Sequence, residues 1–322
     1  MLKLRSVLIA LLALLFLTGC AENYAGHEHD GSGYIYEYDY VDETPSDITP
    51  LMWHVTSPGG QTMYLFGSIH VGTADIYPLP DFVMDAFHRS DYLAVEFDML
   101  SIVRYMGAMQ RLMMYPEGMT VVDDIGEELH ERATAFLAEN GRPNLHLDGF
   151  KPMMWHSTIL EVATHRAGLL PRYGLDVFFL QEAVEHDMGI LEVESALSQM
   201  EIVFGFSMPL QIALLEEALE DIDQAAQELL ELYSLWKQGD AQGIRVMLGQ
   251  DYIQYYIHED ELFAEYWYAM MTRRDIHMAE MARSYMAEGK KVFFVVGLAH
   301  FLVDDGVIDL LIQNGYDVVR VQ

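Results

Sequence analysis

"KKVFFVVGLAH", residues 290–300, decides the fold. Val292 to Val296 form an unbroken apolar run, Gly297 ends it, and His300 follows three positions later. A run of this length without polar alternation suits a strand covered on both faces, as in parallel sheets whose crossovers are helices. The same pattern occurs earlier in "QTMYLFGSIH" (61–70), where Gly67 closes the strand and His70 follows. "SDYLAVEFDM" (90–99) reads as a strand ending near Glu96, "HDMGILEVES" (186–195) as one ending at Glu192 and Glu194, and "GYDVVRVQ" (315–322) as a terminal strand. Helical spacing covers 81–90, 99–115, 125–140 and 153–168. It also covers a long stretch from Pro209 to Lys237, with Leu210, Leu214, Leu215, Ala218, Leu219 and Ile222 on one face, and a further stretch over 259–287. The expectation is an α/β fold: a central mixed, mostly parallel sheet flanked by helices, with a large helical insertion, in one domain over 51–322.

The formal charge of −32 comes from 50 acidic against 18 basic residues. Such a surface repels phosphate backbones and argues against nucleic acid as a partner; it attracts cations. The 21 methionines read first as core filler. A binding groove shared with Trp155, Trp267 and Tyr268 is the sharper alternative.

The first twenty residues stand apart. Lys3 and Arg5 precede an apolar run from Val7 to Leu17, too short for a comfortable membrane span and suited to an export signal. It ends in Leu17-Thr18-Gly19-Cys20, which looks like a bacterial lipobox. Cys20 is the only cysteine, so no intrachain disulfide exists to claim it, and lipidation would bind the chain to a membrane. Ala21 rather than Asp follows it, which by resemblance to other lipoproteins directs the chain to the periplasmic face of an outer membrane. Residues 21–50 are polar, acidic and rich in Gly and Tyr, and read as a disordered tether; His27, Glu28 and His29 in it are read as solvated.

A Gly-x-x-His spacing is weak by itself. Gly26 and His29 in the tether have it with no strand before them. The copies at Gly67–His70 and Gly297–His300 each follow an apolar strand, and ligands gather at the carboxyl ends of strands in α/β sheets. Both histidines are therefore candidate site residues, with Glu96 and with Glu192 or Glu194 at neighbouring strand ends. Histidine with carboxylate serves two chemistries: ligation of a divalent ion and its water, or acid–base activation of water without metal. Spacing does not choose between them. HExxH, GxSxG, P-loop and Rossmann motifs are absent from the sequence, against the common zinc peptidases, serine hydrolases and nucleotide enzymes.

Over most of 51–322 these residues resemble the TraB/GumN family, related to the Tiki metalloproteases and more distantly to the erythromycin esterase and ChaN proteins. The resemblance rests on "LFGSIHVG" (65–72) with "YPLP" (77–80), the acidic strand end at Glu96, "YGLD" (173–176) and "VESALSQM" (193–200). "WKQGD" (236–240), "TRRDIHMAEMA" (272–282) and the closing "VVGLAHFLVDDGVIDLLIQNGYDVVRV" complete it. It selects Glu194 with Gln199 rather than Glu192, and it selects Arg274. Asp275 stands where the family usually has Asn, and Phe301 where it usually has Leu.

The resemblance implies a metal-dependent hydrolase, peptidases included. His70, Glu96, Glu194 and His300 would ligate an ion (Mn, Co or Zn) or activate water. Arg274 would stabilise an oxyanion or a substrate carboxylate, and Asp275 would orient a neighbour. Gly67, Ser68, Asp176 and Gly297 would meet a peptide or small-molecule substrate. The competing readings are a non-catalytic lipoprotein that holds a peptide or metal in the same pocket, and an accessory protein that uses its acidic helices as an interface.

Overall fold

The computed structural model describes residues 44–143 and 146–321. The export signal, Cys20 and most of the tether lie outside the described residues.

Six strands form one sheet: β1 (Met52–Thr56), β2 (Thr62–Ser68), β3 (Tyr92–Val95), β4 (Gly189–Glu192), β5 (Val292–Gly297) and β6 (Asp317–Val321). Their order is β4-β3-β5-β2-β1-β6. β4, β3, β5 and β2 are parallel neighbours, while β1 runs antiparallel to both β2 and β6. The sheet is mixed and mostly parallel, as the apolar runs imply. β5, the most central of the long runs, is buried from Val292 to Val296, which is why its sequence carries no polar alternation.

Parallel strands need crossovers, and helices supply them. α1 (Asp81–His88) links β2 to β3. α2 (Met106–Met113), α3 (Val122–Glu139), α4 (Pro152–Arg166) and α5 (Leu175–Glu185) lie between β3 and β4. Between β4 and β5 come α6 (Ala196–Val203), α7 (Met208–Glu220), α8 (Ile222–Gln238), α9 (Ala241–Met247), α10 (Gln250–Glu259), α11 (Glu261–Trp267) and α12 (Arg273–Ala287). α13 (Ala299–Leu302) and α14 (Val307–Gln313) precede β6. An aromatic knot holds α1 and α5 to the sheet: the Phe66 and Phe179 rings are 5.2 Å apart, Phe179 and Phe293 4.9 Å, and Phe87 and Phe293 5.6 Å. Burying each of these rings stabilises the fold by about 1.5–3 kcal/mol.

Four details differ from the sequence reading. The helix expected from Pro209 to Lys237 is two helices, broken at Asp221 (φ −155°, ψ 83°). There the Asp221 carboxylate accepts the Gln224 N–H at 3.0 Å, an N-cap that outweighs continuity. The expected helix over 259–287 contains a π-helical turn, Tyr268–Thr272, between α11 and α12. β1 is a strand that the apolar runs did not reveal, because His54 and Thr56 interrupt it. Residues 46–49 are not tether: the Ser46 N–H donates to Pro78 O at 2.9 Å, the Thr49 N–H donates to Lys237 O at 2.8 Å, and Ile48 is buried.

The methionine-and-aromatic groove is not formed by the residues proposed for it. Trp155 is 1% exposed, with its indole N–H on Leu147 O at 3.0 Å. Trp267 is also buried, and only Tyr268 faces solvent.

Candidate active site

The four parallel strands deliver their chemistry side by side. In spatial order β4 leads to Glu194, β3 to Glu96, β5 to Gly297 and His300, and β2 to Ser68 and His70. Their registers pair Ser68 with Gly297 and Val95 with both Val295 and Glu192, so the carboxyl ends lie level. Backbone bonds extend the pairing past the strands: Leu298 N–H to Ser68 O at 3.0 Å and Glu194 N–H to Glu96 O at 2.7 Å.

Each histidine is held by an aspartate. His70 Nδ1 lies 2.7 Å from Asp176 Oδ2, and Ser68 Oγ donates to Asp176 Oδ1 at 3.0 Å. Asp176 reaches them because α5 begins against the His70 backbone. A β-carbon on Gly174, which caps that helix, would sit 2.3 Å from His70 O, so only glycine permits the approach. His300 Nδ1 lies 2.6 Å from Asp275 Oδ1, from the first turn of α12. The two rings converge at Gly297. A β-carbon there would lie 3.3 Å from Glu96 Oε1, 3.4 Å from His70 Nε2 and 3.7 Å from His300 Cδ2. Three functional side chains thus border one methyl-sized space, which a side chain at 297 would fill.

Arg274 forms a buried ion cluster beside them. Its NH2 group donates to Glu96 Oε2 at 2.6 Å and to Glu194 Oε2 at 2.8 Å, and its Nε donates to Glu194 Oε1 at 3.1 Å. Gln199 Nε2 bridges the same carboxylates at 2.9 Å each, and the Gly297 N–H donates to Glu96 Oε1 at 2.7 Å. The guanidinium therefore positions two glutamates; its expected role on an oxyanion is not what this geometry offers. Glu192 lies outside the cluster, with Oε1 accepting the Asp98 N–H at 3.0 Å. Gly67 packs against Leu298, where a β-carbon would clash at 2.2 Å, and its carbonyl accepts the Trp236 indole N–H at 2.9 Å. It shapes the strand end and faces no ligand space.

Two residues that no motif singled out fix the end of β4 to α12: His277 Nε2 donates to Val193 O at 2.8 Å, and Tyr285 Oη donates to Glu192 O at 2.9 Å. His277 follows Arg274 and Asp275 by a few residues, which was the available signal.

The electrostatics follow from this packing. Burial disfavours charge on His70, but Asp176 and then Glu96 outweigh it and push the imidazole up to about 9, against the opposing charge of Arg274. Burial likewise opposes the Glu96 charge, but Arg274, His70 and His300 hold its carboxyl well below the usual range. The Arg274 guanidinium is raised, with Glu194 and Glu96 outweighing its desolvation. Asp275 goes the other way: burial raises its carboxyl, although His300 and Arg274 pull against this.

The donor set fits a divalent ion in type but not in spacing. Each imidazole gives Nδ1 to a carboxylate, as metal-bound histidines do. Yet among the described residues the one group of three His, Cys, Asp or Glu donors within 4.8 Å of one another lies elsewhere, at His88, Glu182 and His186. Both oxygens of Glu194 are also engaged by Arg274 and Gln199.

An apolar cleft reaches the site beside His70. Val71, Leu229, Leu232, Trp236, Leu248 and Leu298 line it together with Ser68 and His70.

The family model for TraB/PrgY/gumN matches residues 51–320, nearly the whole folded part. The chain belongs to the TraB/PrgY/gumN family. Among curated proteins it is similar to the uncharacterized protein YbaP of Escherichia coli strain K12. The identity is 26% over 203 residues, covering 62% of this chain and 73% of the relative. YbaP of Shigella flexneri matches at the same identity and coverage. No solved structure matches the chain.

Proposed function

We propose that this member of the TraB/PrgY/gumN family is a lipid-anchored hydrolase of the bacterial envelope that cleaves carbonyl substrates, peptides among them. The observation that carries the reading is the pair of aspartate-backed imidazoles bordering one space at Gly297. His70, held protonated at neutral pH by Asp176 and Glu96, would act as the acid. His300, oriented by Asp275, would act as the base. Water entering the space at Gly297 would give its proton to His300 Nε2 as its oxygen attacks the carbonyl carbon. His70 Nε2 would pass its proton to the departing amine or alkoxide as the bond to carbon breaks. Arg274 and Gln199 would hold Glu96 and Glu194 in place. The cleft beside His70 favours an apolar group next to the scissile bond.

Attachment would come through a lipidated Cys20, with the tether between lipid and fold, at the periplasmic face of the outer membrane. Among the described residues no single helix is long and apolar enough to cross a membrane.

A second reading is favoured by the Nδ1–carboxylate pairing itself. In it His70, Glu96 and His300 would be the residues holding a divalent ion of the Mn, Co or Zn class, and the chemistry it would supply is Lewis-acid activation of water. It requires the donor atoms to close further than they stand.

The test is hydrolysis of a peptide and ester panel by the full chain in detergent micelles. We expect turnover that survives dialysis against a chelator and falls about 10²–10⁴-fold in His70→Ala and in His300→Ala. Turnover lost to the chelator and restored by Mn²⁺, Co²⁺ or Zn²⁺ would favour the second reading. Peptide binding without turnover, or full activity in both variants, would sink the hydrolase.

A further inference from the structure

The opposite edge of the sheet carries a second cluster. α1 ends at His88 just before β3, and α5 ends just before β4, with Glu182 in its last turn and His186 as its C-cap. Tyr92 and Gly189, the first residues of those strands, are register partners, so the two helix ends meet. The cluster lies a strand's length from Glu96 and Glu194, roughly 13 Å for four residues at ~3.3 Å each.

His88, Glu182 and His186 each offer a donor atom within 4.8 Å of the others. The two imidazoles lie with centroids 5.0 Å apart. His186 Nδ1 donates to the Glu182 carbonyl at 2.8 Å, which fixes its tautomer and leaves Nε2 for a ligand. Glu182 and His186 are four residues apart, on one face of the helix end, with Glu182 Oε2 3.7 Å from His186 Nδ1. Phe87, fully buried, meets both imidazoles edge-on at 5.4 and 6.4 Å and gives them a rigid wall. Both histidines are exposed, so an ion can reach them, and the formal charge of −32 concentrates cations at the surface.

We propose that His88, Glu182 and His186 form a site for a transition-metal ion of the Zn²⁺ class, separate from the candidate active site. Two imidazoles and one carboxylate select Zn²⁺, Co²⁺, Ni²⁺ or Cu²⁺ over Mg²⁺ or Ca²⁺, which prefer all-oxygen shells. Three protein ligands leave a position for water. The bound ion ties α1 to α5 at the point where both helices feed the strands bearing Glu96 and Glu194, so it stabilises the folded state by mass action.

Calorimetry of the full chain in detergent micelles with ZnCl₂, and the visible absorption of added Co²⁺, test this. Wild type should bind one Zn²⁺ at this site and melt at a higher temperature with it. His88→Ala, His186→Ala and Glu182→Gln should each weaken binding about 10–100-fold. These substitutions touch exposed or half-exposed groups, and circular dichroism checks that the variants fold. A His27→Ala/His29→Ala variant removes the tether imidazoles and should keep the site, as should His70→Ala. No zinc bound by wild type, affinity unchanged in the three site variants, or affinity lost in His70→Ala instead would each overturn the proposal.

Discussion

The two Gly-x-x-His elements are alike in sequence and unlike in the fold. Both histidines follow a parallel strand, and both give Nδ1 to an aspartate, at 2.7 Å for His70 and 2.6 Å for His300. The His70 aspartate comes from the start of α5 and is shared with Ser68; the His300 aspartate comes from α12, next to Arg274. His70 borders the apolar cleft, whereas His300 is 1% exposed and does not line it. One spacing thus yields two environments. A strand end fixes where a histidine emerges, while the helix packed over it fixes its partner, its charge and its access.

The most severe way to break the comparison is to remove what both rings sit beside. Arg274→Met leaves Glu194 buried without its counter-charge and Glu96 with His70 in place of two cations, and urea unfolding at neutral pH should show a loss of about 3–5 kcal/mol. A loss below 1 kcal/mol would mean that the guanidinium is not holding the carboxylates.

Next comes the pH dependence of His70. Its imidazole is raised from 6.5 to about 9 in the fold. The stability it contributes is therefore fully present below pH 6.5 and is lost as pH rises to about 9; that shift corresponds to about 3 kcal/mol. Asp176→Asn removes the main raising influence and should flatten this alkaline loss. An unchanged slope of unfolding free energy between pH 6.5 and 9 in the variant would contradict the pairing. At the acid end the sign reverses. Glu96, depressed in the fold, contributes stability above its ordinary value of 4.5 that is lost as pH falls through its lower folded value.

The smallest effect is expected at the other aspartate. Asp275→Asn keeps an oxygen to accept His300 Nδ1–H and removes a carboxyl that burial disfavours, so stability should change by less than about 1 kcal/mol. It also restores the residue usual in the family. A thermal midpoint lowered as far as that of Asp176→Asn would show that the two pairs are energetically equal.

Much of this was legible beforehand for a specific reason. Val292–Val296 and Tyr64–Phe66 are apolar without alternation because both faces of their strands are covered, and the same runs end where the site begins. His70, Glu96, Glu194, Arg274 and His300 were each placed by a strand end or by a motif. The pairings were not legible. Nothing local distinguishes Asp176 as the partner of His70, 106 residues away, from a substrate contact. Arg274 reads as a free cation until its bonds to Glu96, 178 residues away, and Glu194 are seen. His88 and His186 look like ordinary helix ends until α1 and α5 are laid side by side.

By itself, then, the sequence determined five of the six strands, their apolar faces, the residues at their carboxyl ends and the family. These are set by periodicity and by local chemistry along the chain. Only the tertiary structure decided which carboxylate meets which imidazole, which glutamates share the arginine, and that Gly297 opens one space to His70, Glu96 and His300. Those are contacts between segments far apart in the chain, settled by strand order and helix packing, to which no local pattern refers.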